Sequence, residues 1–90
     1  MTDDLAFDVL MGNADAMKRG VLPMWTIFDH PKDHPDGFIA RKFEVKGDVA
    51  PTGDTLAGSL EYLRDTFSKA GLMRWSRHAD DDPCIVETWI

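Results

Sequence analysis

Apolar and polar residues change their spacing several times along this chain, and each change marks an element. Over residues 3–19, Leu5, Val9 and Leu10, with Ala6, Ala14 and Met17 nearby, fall at spacings that a helix would gather, although Gly12 and Asn13 interrupt the run. Gly20 and Pro23 bracket a short connector, and from Met24 onward strand signals take over. Met24-Trp25-Thr26-Ile27-Phe28 is aromatic and β-branched and stops at Asp29-His30-Pro31, because proline has no N–H to give a sheet ladder. Residues 31–37, with two prolines, a glycine and polar side chains, predict a loop.

A second strand is predicted over residues 38–46. Period two puts Ile39, Arg41, Phe43 and Val45 on one face and Phe38, Ala40, Lys42 and Glu44 on the other; the first, richer in large apolar side chains, is the expected core face. Residues 47–53 predict another loop, with Asp54 or Thr55 capping a helix over residues 55–69. There Leu56, Leu60, Leu63 and Phe67 recur at intervals of four, three and four, Gly71 is placed to end the helix in a left-handed conformation, and Leu72 can fold back on the stripe. A hairpin closes the chain: residues 73–78 outward, a turn at Ala79-Asp80-Asp81-Asp82-Pro83, and residues 84–90 returning. The expected fold is therefore α+β, a four-stranded antiparallel ββαββ sheet with one face covered by a helix. Residues 24–90 make one domain, and residues 1–23 a weakly helical or disordered extension.

Composition narrows the class without changing this picture. Ninety residues leave room for one core, since a chain of this length buries only roughly 60 to 65% of its unfolded surface. Cys84 is the single cysteine, so no internal disulfide can form and a reducing compartment is expected. No segment reaches the roughly 18 consecutive apolar residues of a membrane span, and Met1-Thr2-Asp3-Asp4 is acidic where a secretion signal is basic. The expectation is a cytoplasmic protein away from membranes. Sixteen acidic against ten basic residues give a net charge of −6, which counts against nucleic acid as a partner.

The phrase Met24-Trp25-Thr26-Ile27-Phe28-Asp29-His30-Pro31, followed by Phe38-Ile39-Ala40-Arg41 and by Asp81-Asp82-Pro83-Cys84-Ile85-Val86-Glu87-Thr88-Trp89-Ile90, resembles a family of small uncharacterised bacterial proteins. The resemblance covers roughly residues 24–90 and rests on an opening W-T-I-aromatic-D-H-P and a closing D-D-P-x-I-V-E-x-W. It implies one compact module that begins near Met24, and it brings no activity, cofactor or site residue with it.

Each chemical constellation has a structural reading beside it. His30 and His34 lie four apart and, with Asp29, Asp33 or His78, could converge on a metal, but Pro31 and Pro35 exclude a helical pair and zinc sites ordinarily draw on more cysteines than one. Asp29 could orient His30 as a general base for Cys84, yet an aspartate at a strand end more simply accepts N–H groups of the following loop. Asp80-Asp81-Asp82 lacks the glycine and distal glutamate of a calcium loop and reads as a solvated turn. Arg41, Arg74, Trp75 and Arg77 are the candidates for a nucleic-acid surface, although period two sets Arg74 opposite Trp75 and Arg77.

These weigh toward a non-catalytic accessory or regulatory module that binds another protein or a second copy of itself, with no metal or cofactor. Trp25, Phe38, Trp75 and Trp89 are its candidate partner surface, because one helix covers only one sheet face. The alternative is that Leu5, Phe7 and Leu10 fold back over the open face. The nucleic-acid module, and the metal or catalytic site around Asp29, His30, His34 and His78, are the competing readings.

Overall fold

A computed structural model of the protein describes residues 4–90. The expected helix start at Asp3 and the first three residues of the acidic beginning lie outside the described residues. In chain order the elements are α1 (Asp4–Lys18), β1 (Leu22–Asp29), β2 (Phe38–Lys46), β3 (Asp48–Gly58), α2 (Leu60–Lys69), β4 (Arg74–Ser76) and β5 (Ile85–Trp89). The strands form one antiparallel sheet in the order β3-β2-β1-β5-β4.

The α+β class stands, but the four-stranded ββαββ sheet with a single covering helix does not: among the described residues the sheet has five strands and two helices cover it. The additional strand is β3, in the stretch expected to be a loop and a helix cap. Pro51 and Gly53 gave it turn composition, but an edge strand tolerates both. The ladder to β2 is irregular between Arg41 and Phe43, and the bulge it leaves takes up Gly53 at φ 90°. All but Leu56 of β3 are exposed, so no alternation betrays it.

Helix α2 consequently starts at Leu60, with Ser59 as its N-cap accepting the Tyr62 N–H at 3.0 Å. Gly58 precedes it because a Cβ there would lie 2.7 Å from the Tyr62 ring. At the other end Gly71 (φ 83°) closes a two-bond cap, Leu72 N–H to the Phe67 carbonyl and Gly71 N–H to that of Ser68, both 3.0 Å, and Leu72 packs on the core as expected.

Helix α1 runs unbroken through Gly12 and Asn13 and ends in the same kind of cap at Gly20 (φ 77°). It belongs to the core: Ala6 and Val9 pack in one cluster with Trp25, Ile27, Ala40, Leu63, Phe67, Ala70 and Trp89. At its C-terminal end Arg19 clamps it to the sheet, donating to Glu44 at 2.8 and 3.3 Å and to Asp15 at 3.1 Å.

Cross-strand pairing fixes the faces. Trp25 opposes Lys42 and Trp89, and Ile27 opposes Ala40 and Glu87, all beneath the helices. The expected burial of β2 is thus reversed: Ala40 is fully buried and Lys42 nearly so, while Ile39, Arg41, Phe43 and Val45 face away from the helices. Small Ala40 and the slender stem of Lys42 leave room for the bulky rings on β1, β5 and α2. Phe67 sits between Trp25 and Trp89 at centroid distances of 5.3 and 5.9 Å, and this aromatic stack is the centre of the core.

Candidate functional site

Both helices pack on one side of the sheet, so its other side is a layer of side chains with no covering element among the described residues. At its middle the hydroxyls of Thr26 and Thr88 meet at 3.3 Å across β1 and β5. They form the floor of a depression of about 320 Å³, walled by Met24, Phe28, Phe43, Val49 and Ile85 with Asp81 at its rim. Period two on β1 places Met24, Thr26 and Phe28 there, and the antiparallel register brings Phe43 beside Met24 and Ile85 beside Phe28. An irregularity between Ile27 and Phe28 allows Ile85 to reach this side while Val86 packs on the core.

Polar groups hold the margins. Arg41 lies over the Phe28 ring, its Cζ 4.7 Å from the centroid, and its Nη2 donates to both carboxylate oxygens of Asp33 at 2.6 Å. That hydrogen bond, with the accompanying charge attraction, keeps the Asp33 carboxyl below its ordinary range despite some desolvation. The loop bearing Asp33 is thereby tied to the edge of the open face. Across the sheet, Trp75 opposes Thr88 and is 57% exposed on the same side.

Of the four aromatics expected at a partner surface, Trp75 alone is exposed there. Trp25 and Trp89 are in the core beneath α2, and half-buried Phe38 packs against the core with the His30 ring edge-on at 5.3 Å. Met24, Phe43, Val49, Ile85 and the threonine pair were not anticipated. The signal that groups them is the parity of β1: once Trp25 and Ile27 are assigned inward, Met24, Thr26 and Phe28 must face outward. Phe7 is 56% and Leu10 47% exposed, so the N-terminal segment does not fold over this face as the alternative had it.

The other constellations are dispersed. Arg41 and Trp75 share a side but are three strand spacings apart, about 14 Å, whereas Arg74 opposes Trp89 and so lies toward the helices, within electrostatic reach of Glu87. Arg77 donates to the Asp81 carbonyl at 3.1 Å. His30, with φ 46°, is held by the Asp29 carboxylate through its Nδ1, and its N–H donates to the Gly37 carbonyl at 2.9 Å, closing the loop. Asp29 and Cys84 meet through the backbone, N–H to carbonyl at 2.7 Å, and the His34 N–H donates to the Pro31 carbonyl at 2.9 Å. The acidic turn is tied locally: Asp81 accepts the His78 N–H at 2.8 Å and Asp82 that of Cys84 at 2.9 Å, while Asp80 lies 3.7 Å from His78. Among the described residues no three His, Cys, Asp or Glu side chains come together to hold a metal, and no helix is long and apolar enough to cross a membrane.

Comparison of the chain with protein-family models, with curated proteins and with solved structures finds no match.

Proposed function

We propose that the protein is a non-catalytic binding module that seats a segment of another protein on the open face of its sheet. The observation that supports this is the uncovered depression: apolar walls, a hydrogen-bonded threonine pair as floor, and an exposed tryptophan beside it. An apolar patch rimmed by polar groups on a small domain is a characteristic partner surface, and a concavity of this size takes one or two large apolar side chains. With net charge −6 on the module and Asp81 at the rim, the favoured segment is apolar at its centre and basic at its flanks.

Selection of a displayed random peptide library against the immobilised protein tests this reading. Enriched peptides should carry bulky apolar residues flanked by Lys or Arg, and their amide shifts should centre on Met24, Thr26, Phe28, Phe43, Ile85 and Thr88. Val49→Glu, at an exposed wall position, should abolish binding without altering the fold. Peptides that map to the helices, or that bind Val49→Glu undiminished, would refute the assignment.

A further inference from the structure

Helix α1 carries two apolar stripes and turns the poorer one inward. Against the sheet and α2 lie Ala6, Val9, Asn13 and Ala16, and Asn13, only 5% exposed, finds no hydrogen-bond partner for either amide atom. The larger side chains face water: Phe7 is 56%, Leu10 47%, Met11 52% and Met17 65% exposed. A surface helix normally puts its larger apolar face in the core. Four large apolar groups in one outward stripe, on a helix clamped by the Arg19–Glu44 pair, form a second surface that the described residues leave uncovered.

The pattern of that stripe selects its occupant. Phe7, Leu10, Ala14 and Met17 are spaced three, four and three, the repeat of a two-helix seam, and this spacing is the same from either end. Antiparallel pairing with α1 of a second copy therefore sets Phe7 of each against Met17 of the other, and Leu10 against Ala14. Asp4, Met11 and Lys18 recur at seven-residue intervals along one flank. Reversal brings Asp4 to Lys18 and Met11 to itself, whereas parallel pairing would set this flank against the opposite flank of the other copy, where Ala6 and Asn13 are buried and carry no charge. Antiparallel helices also align opposite dipole ends.

We infer that the protein self-associates as a two-fold dimer through an antiparallel α1–α1 seam centred between Met11 and Gly12. The inference is independent of the sheet-face reading, because each protomer keeps its open face free. The seam of 15 residues is about 22 Å long and smaller than a standard interface, so the dimer should form and dissociate with concentration.

Sedimentation of the full chain from about 1 µM to 1 mM at low salt tests it, with circular dichroism to verify the fold of each variant. The wild type should pass from monomer to dimer across this range. Leu10→Glu, at a solvent-facing seam position, should remain folded and monomeric, and Val49→Glu should dimerise like the wild type. Asp4→Lys and Lys18→Asp should each weaken the dimer about tenfold, and mixing the two variants should restore it, since both charged flank contacts in the mixed dimer, position 4 with 18 and 18 with 4, are then between opposite charges. A wild type monomeric throughout overturns the inference, as does a dimer that survives Leu10→Glu or is lost in Val49→Glu. Tighter association of Asp4→Lys alone would reject the antiparallel arrangement.

Discussion

The Arg64 guanidinium on α2 donates two hydrogen bonds, 3.0 and 2.8 Å long, to the Glu87 carboxylate on β5, which also accepts the Trp89 indole N–H at 2.9 Å. Glu87 is only 3% exposed, so this pair links the second helix to the sheet at the margin of the aromatic stack. Burial by itself would raise the Glu87 carboxyl, but the Arg64 and Trp89 hydrogen bonds and the charges of Arg64 and Arg74 outweigh it and hold the group below its ordinary value.

A carboxyl depressed in the folded state contributes stability that is fully present above its unfolded value, about 4.3 for glutamate, and is lost as pH falls through the lower folded value. Glu87→Gln should therefore cost about 2 kcal/mol at neutral pH. Urea midpoints of the two proteins should converge as the medium is acidified below about pH 4. Asp33 and Glu44, depressed by their hydrogen bonds from Arg41 and Arg19, leave the variant some residual acid sensitivity. A constant gap between the two curves down to pH 2 would show that Glu87 acts by packing and not through its charge.

Asn13 leads to the opposite kind of change. Its side chain is buried against the sheet with both amide atoms unpartnered, and desolvating such a group without a hydrogen bond is costly. Leucine has a similar branched shape and nothing to desolvate, so Asn13→Leu should raise stability by about 1 kcal/mol. Equilibrium urea unfolding measures this, and a loss of stability would mean that the amide finds a partner in solution.

How far the sequence could be read follows from which residues are buried. The span of β2, the loop after His30, the stop at Gly71 and the closing hairpin were legible because each is written in local chemistry: alternation, proline, a left-handed glycine, a turn cluster. Strand β3 was not, since an exposed edge strand has no buried alternation and Pro51 and Gly53 imitate a loop. The buried face of β2 was misjudged because counting apolar residues favours Ile39, Phe43 and Val45, whereas the core selected by volume and took Ala40 beside the tryptophans. That error bears on function: the apolar side chains left over on β2 line the open face. The candidate surface was accordingly legible as a type, an uncovered sheet face, but Trp75 was the one named aromatic that reaches it exposed, because burial of Trp25 and Trp89 depends on a register set by strands far apart in the chain.

Gly71 offers a test of backbone conformation free of packing. Its φ is 83°, and no atom lies within 4 Å of where a Cβ would stand. Gly71→Ala should thus cost about 1 to 2 kcal/mol from the left-handed conformation alone, with Gly71→Asn costing less because asparagine visits that region more readily. Gly37→Ala, at an equally open position without positive φ, should change stability by less than about 0.5 kcal/mol. Thermal unfolding of the three variants checks the order, and equal losses at both glycines would remove conformation as the cause.

The three tryptophans make the placement of the core and the open face measurable without any ligand. Trp25 and Trp89 are 4% and 7% exposed against Phe67, and Trp75 is 57% exposed on β4. Acrylamide should quench one fraction of the native fluorescence readily and leave the other protected, and Trp75→Phe should remove the accessible fraction while unfolding at nearly the wild-type urea midpoint. Trp89→Phe should instead leave the accessible fraction in place and destabilise the fold, because a smaller ring leaves a gap beside Phe67 and the Glu87 carboxylate loses an N–H donor, together about 2 to 3 kcal/mol. If Trp75→Phe were the more destabilising of the two, the assignment of the sheet faces, and with it the docking surface, would have to be reversed.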